Sequence, residues 1–153
     1  MAGAEPAHPD ILAMSRPTFL DALIGSGSGP CALIDVACER VLVSRVEPAL
    51  DSKTRRKGLL GRESIPDDYA LVIAPSNAVH TWFMRIPIDL VFVSRSGTVT
   101  KTCRAVKPWR MAGSLKAFAV IEATEGFIER HGIKAGDVVA LRAAPAGGSK
   151  PGP

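Results

Sequence analysis

His80, Arg85 and Asp89 stand within ten residues of one another in the most apolar stretch of the chain, Val79-His80-Thr81-Trp82-Phe83-Met84-Arg85-Ile86-Pro87-Ile88-Asp89-Leu90-Val91-Phe92-Val93. An imidazole titrates near neutrality, a guanidinium grips carboxylates and phosphates in a fork, and a carboxylate accepts or orients a proton. Together they can hold a polar ligand over an apolar floor of Trp82 and Met84. Alternatively His80 can act as a base, with Asp89 or Glu122 orienting it. A structural role competes, in which Arg85 pairs with Asp89 and His80 is hydrogen-bonded at a strand end. A buried ion pair that loses one partner costs about 3–5 kcal/mol, so that role would hold these residues as firmly as a functional one.

Two further positions carry chemistry. Pro108-Trp109-Arg110 sets a large aromatic beside a bidentate-capable cation, fit to line a pocket mouth and hold a carboxylate or phosphate. Glu122 lies in an otherwise apolar run with Phe118, Val120, Ile121 and Ala123, so it must lie at an edge, face outward, or pair with Arg85, Arg110 or Lys57. His80, Asp89 and Glu122 would be the candidates for a metal, but no H-x-H, H-x-x-x-H or H-E-x-x-H spacing occurs, and no metal or cofactor is expected. There is no G-x-S-x-G elbow, Walker sequence or dinucleotide fingerprint in the right context. Cys31, Cys38 and Cys103 lie within apolar runs, form no CxxC pair and leave one over, which points to reduced, inert thiols.

The composition bounds the partners. A chain of 153 residues with 46% hydrophobic and 22% charged residues is of ordinary globular make-up. Its net charge of +4 comes from scattered cations, and only 8 aromatic residues are available for stacking, so nucleic acid is not an expected partner. No run approaches the roughly 20 apolar residues of a membrane span. The N-terminus lacks the basic and apolar regions of an export signal, which makes a cytoplasmic location the expectation.

The elements that must position these groups are mostly strands. β-Branched runs predict strands over 31–37, 41–46, 69–73, 88–93, 98–106, 118–123 and 138–142, with an extended segment over 80–84 that Pro87 interrupts. Extension over 80–84 would turn His80, Trp82 and Met84 to one face and Thr81, Phe83 and Arg85 to the other. Ser94-Arg95-Ser96-Gly97 reads as a hairpin turn, and 111–116 as a loop. Asp51 is a fitting N-cap for a basic helix to Leu60, and Thr124 for a short helix ended by Gly132. A third short helix after Pro17 is expected within 11–24. Short strands at regular spacing favour a mainly β antiparallel sandwich or barrel with two or three short helices. Residues 1–30 read as a disordered or partly helical extension, 31–142 as a single β-rich domain, and 143–153 as a disordered tail.

Arg56-Lys57-Gly58-Leu59-Leu60-Gly61-Arg62 and the 79–92 stretch, followed in order by Lys107-Pro108-Trp109-Arg110, Val120-Ile121-Glu122-Ala123 and Gly132-Ile133-Lys134-Ala135-Gly136-Asp137, resemble domain-of-unknown-function family 192, a widespread prokaryotic family. The chain follows the Val-His-Thr and Met-Arg-x-Pro-Ile-Asp branch over roughly 38–142. It departs at Ala123, where Leu is common, and at Ser94, where Asp is usual. The resemblance implies a compact jelly-roll-like β-sandwich and no agreed activity, cofactor or catalytic residue. Some members carry export leaders, so it also allows an exported form.

The resulting expectation is a module that binds a small polar ligand in a cleft around 79–89, lined by His80, Trp82, Met84, Arg85, Asp89, Trp109, Arg110 and Glu122. The alternatives are an accessory domain that meets a protein partner, with the basic helix as its docking face, and a hydrolase or lyase using His80.

Overall fold

The computed structural model describes residues 18–25 and 30–144, so most of the expected N-terminal extension and C-terminal tail lie outside the described residues. In chain order the elements are α1 (Asp21–Gly25), β1 (Cys31–Asp35), β2 (Arg40–Ala49), α2 (Ser52–Lys57), β3 (Tyr69–Ile73), β4 (Ala78–His80), β5 (Ile88–Val93), β6 (Val99–Val106), β7 (Met111–Gly113), β8 (Ala119–Thr124), α3 (Phe127–His131) and β9 (Val139–Ala143). The mainly β expectation is met.

Seven strands form one sheet in the order β6-β5-β8-β3-β2-β1-β9, curled into a half-barrel, and β4 pairs with β7 in a separate ribbon. Neighbours are antiparallel except β2 and β3, which run parallel. The connection between them is long enough to carry α2 and to cross over, which a tight hairpin could not do. The curl brings the two edge strands together at one corner. Thr98 bridges Val138, the Val99 amide donates to the Asp137 carbonyl at 2.8 Å, and the Val139 amide donates to the Gly97 carbonyl at 2.9 Å. Gly97 has φ 86°, and a Cβ there would lie 2.1 Å from the Val139 carbonyl oxygen, so this corner closes only over a glycine.

Both faces of the sheet are covered. Leu33, Val43, Val72, Val91, Ile121, Phe127 and Ile128 belong to one buried cluster, and Leu59, Leu71, Ile73, Ile88, Leu90, Phe92 and Val120 to the other. Successive residues of β3, β5 and β8 alternate between the two, and all of β5 is buried. That double burial explains why these strands read as continuous apolar runs rather than as alternating ones.

The segment after β4 departs from expectation. The chain is extended only to His80; it then turns, with Phe83 at φ 63° in the left-handed region. The cause is Thr81, buried at 2% exposure. Its amide donates to the Arg110 carbonyl (2.8 Å), its carbonyl accepts from the Trp109 amide (3.0 Å), and its hydroxyl donates to the Lys107 carbonyl (2.7 Å) while accepting from the Arg110 amide (2.9 Å). One threonine thus fastens 81–84 to 107–110, and the alternation of faces expected over 80–84 does not arise. Part of the expected 111–116 loop is instead β7, paired with β4. The helix expected through Leu60 stops at Lys57, because Gly58 takes φ 45°, ψ −133°.

Thr81→Val keeps the shape and leaves the Lys107 carbonyl and the Arg110 amide without their partly buried bonds to the hydroxyl. It is expected to lower stability by about 2 kcal/mol, with an unchanged denaturant slope in urea unfolding.

Candidate functional site

Glu122 occupies a central strand between Leu71 of β3 and Leu90 of β5, on the face that carries Val120. It is 5% exposed, and its carboxyl group makes no hydrogen bond or ion pair with any described residue. Burial alone pushes its pKa from 4.5 up to about 7, since no cation stands close enough to offset the loss of water. The sequence-based alternatives for this acid were an edge position, an outward face or a cationic partner, and the structure supplies none of them. Instead Glu122 forms the floor of a cleft of about 270 Å3.

The walls come from three segments. Helix α2 and the turn beyond it bring Ser52, Arg55, Arg56, Gly58, Leu59 and Leu60; the β3–β4 connection brings Pro75 and Ser76; β4 and the following turn bring Val79, His80 and Met84. Local sequence sets each wall. Asp51 caps α2 by accepting from the Lys53 and Thr54 amides, both at 2.9 Å, and these bonds, that of Thr54 first, hold its carboxyl below the usual range. Arg55 is tied down by the Leu50 carbonyl (3.0 Å) and the Ala74 carbonyl (3.4 Å). Arg56 is exposed and has no partner among the described residues, so its guanidinium is available at the rim. Leu59, 1% exposed, anchors the turn in the core. Gly58 passes directly over the acid: a Cβ at that position would lie 3.7 Å from Glu122 Oε2. Its backbone angles suit only glycine, so the floor stays uncovered.

The expected residues separate into groups. His80, Met84 and Glu122 line the cleft. Trp82 is half-exposed and stacks on His80, with ring centroids 4.9 Å apart. Asp89 does not face the cleft. It pairs across the sheet with Ala123, on the opposite face from Glu122, and accepts from the Ala105 amide (2.8 Å) and the Ile128 amide (2.9 Å). Arg85 does not pair with Asp89; it is exposed and meets Glu63 at 2.7 Å. Trp109 and Arg110 are exposed beyond the ribbon, where Trp109 meets Phe83 edge-on at 4.7 Å. His80, Asp89 and Glu122 therefore never converge, and no group of three His, Cys, Asp or Glu among the described residues is placed to hold a metal. Arg55, Arg56 and Gly58 belong to the cleft but were read as part of a basic helix running to Leu60. The signal that could have found them is the Arg-Lys-Gly-Leu-Leu-Gly block itself, a glycine between a basic helix and a buried leucine.

The fold and cleft define a small mainly β domain with, among the described residues, one buried and unpartnered acid. The family model of domain-of-unknown-function family 192, described as "Uncharacterized ACR", matches residues 35–141, and the chain belongs to this family. The fold is shared with a suggested transcription regulator of Sinorhizobium meliloti 1021, at TM-score 0.64 and 22% identity, over 72% of this chain and 91% of that one. It is also similar to a protein of unknown function from Novosphingobium aromaticivorans DSM 12444, at TM-score 0.62 and 26% identity, over 72% and 82% of the two chains. No curated protein matches. Among the described residues no helix is long and apolar enough to cross a membrane.

Proposed function

We propose that this domain binds a small polar ligand in the cleft over Glu122, with a hydroxyl or amino group of the ligand donating to the buried carboxyl. The observation that carries the reading is Glu122 itself, a nearly buried acid with no partner at the floor of a cavity. Burying such a group without a hydrogen bond is unfavourable, and a ligand that donates to it recovers the lost interaction. Arg56 and His80 at the rim favour an anionic group at the other end of the ligand. The volume of about 270 Å3 suits a molecule the size of a hydroxy acid or amino acid.

A hydrolase or lyase is the second reading. Among the described residues, Glu122 is the only acid lining the cleft that His80 also lines, and a carboxyl group with a pKa of about 7 suits general acid–base work at neutral pH.

The test is thermal unfolding of the full chain against a panel of small hydroxy acids, amino acids and phosphorylated sugars. A compound held at 100 times its dissociation constant stabilises by about 2.7 kcal/mol. Glu122→Gln and Arg56→Ala are expected to lose most of that shift, and Arg110→Ala to keep it. If no compound shifts the wild type, the reading fails and the protein-interaction alternative takes its place. Equal shifts in the wild type and Glu122→Gln would place the ligand elsewhere.

A further inference from the structure

The surface beside the cleft combines exposed aromatics with uncompensated positive charge. Phe83 is 68% exposed, Trp109 56%, Trp82 43% and Met111 70%. They fall in two groups that the Thr81 bonds to 109–110 hold side by side: His80 stacks on Trp82 and pairs with Met111 across the ribbon, and Phe83 meets Trp109. Phe83 and Trp109 also sit at φ 63° and 64°, a backbone conformation that bulky residues adopt only when their surroundings impose it. The buried Thr81 bonds impose it here and hold both rings outward.

The stretch of chain that carries Trp109 and Met111 is one-sided in charge, with Lys107 and Arg110 next to these two residues and Arg95 at the far end of the β5–β6 hairpin. Residues 90–121 contain six cations, Arg95, Lys101, Arg104, Lys107, Arg110 and Lys116, and no acid. All six are exposed, and none meets a carboxylate among the described residues. We propose that this patch is a docking surface for an anionic phospholipid bilayer, with Phe83, Trp109 and Met111 entering the interfacial layer and Lys107 and Arg110 meeting the headgroups. Tryptophan, phenylalanine and aliphatic side chains rimmed by lysine and arginine satisfy an interface that is apolar on one side and negatively charged on the other. A second copy of the chain would bring the same cations into a self-complementary contact and be repelled. Single-stranded nucleic acid needs separate ring faces as stacking platforms, whereas these rings pack against one another and Met111 offers none.

The experiment uses the full chain with vesicles of phosphatidylcholine, alone or with about a third phosphatidylglycerol. Trp82 and Trp109, the two tryptophans of the chain, both lie in the patch, so emission reports directly on insertion. Co-sedimentation and a blue shift are expected with the anionic vesicles, weakened by added salt and absent with phosphatidylcholine alone. Lys107→Gln and Arg110→Gln should each weaken binding about fivefold. Phe83→Asn, which tolerates the left-handed backbone, should abolish the blue shift and leave cooperative unfolding intact. No binding to the anionic vesicles would overturn the proposal, as would binding insensitive to all three substitutions or tighter binding to oligothymidylate or polyglutamate.

Discussion

Asp89→Ala is expected to lower folding stability by about 3–5 kcal/mol, a large part of the roughly 5–15 kcal/mol that holds a domain folded. Asp89 is 1% exposed, and both its oxygens are engaged with backbone amides. One bond serves the sheet. Ile88 pairs with Val106 and Leu90 with Cys103, so β6 carries an extra residue opposite Asp89, and Ala105 in that irregular stretch has φ 46°. A bulge leaves an amide without a ladder partner, and Asp89 accepts it. The other bond runs to Ile128 in the first turn of α3, a helix that has no capping side chain of its own. Alanine would therefore leave the buried Ile128 amide and the partly buried Ala105 amide unpaired and open a small void, at about 1–3 kcal/mol for each amide. Asparagine must turn its amino group toward one of the two donors and should cost about 2 kcal/mol. Urea unfolding measures both, and ligand binding separates them from a direct role. A variant that stays stable but loses a cleft ligand would contradict the structural assignment.

Much of the fold was legible because double burial writes itself into composition. Tyr69–Ile73 and Ile88–Val93 were read with their observed bounds, since strands covered on both faces are near-continuous apolar runs, interrupted in the second only by Asp89 and limited by turn residues. His80–Met84 was misread for a physical reason. Trp82 and Phe83 favour strands, but Thr81 has distant partners at 107–110 that override local preference, and nothing in a single sequence announces that pairing. The site failed on register. His80, Asp89 and Glu122 look like one polar set in sequence, yet the pairing of Asp89 with Ala123 turns the two acids to opposite faces. Glu122 was recognised as out of place. Its true setting depends on Gly58 crossing above it, a contact between elements far apart in the chain.

Glu122→Gln tests that setting through pH. The folded protein holds Glu122 at a pKa of about 7, against 4.5 without burial, so the folded state keeps its proton where the unfolded state has lost it. Below pH 4.5 both states are protonated and no penalty exists. As pH rises from there to about 7, this group withdraws up to about 1.4 kcal/mol of stability per pH unit, and above that the full penalty of about 3 kcal/mol persists. Glutamine has the same shape and no proton to lose. The variant is therefore expected to match the wild type near pH 4.5 and to exceed it by up to about 3 kcal/mol at pH 8, with the gap opening between those values. The difference between the two proteins is the quantity to follow, because the depressed carboxyls of Glu39, Asp51 and Asp137 contribute equally to both. Parallel stability curves from pH 5 to 8 would mean that water reaches the carboxyl freely. A cleft ligand that donates to Glu122 should narrow the gap, because it stabilises the charged form in the wild type and has no such charge to meet in the variant.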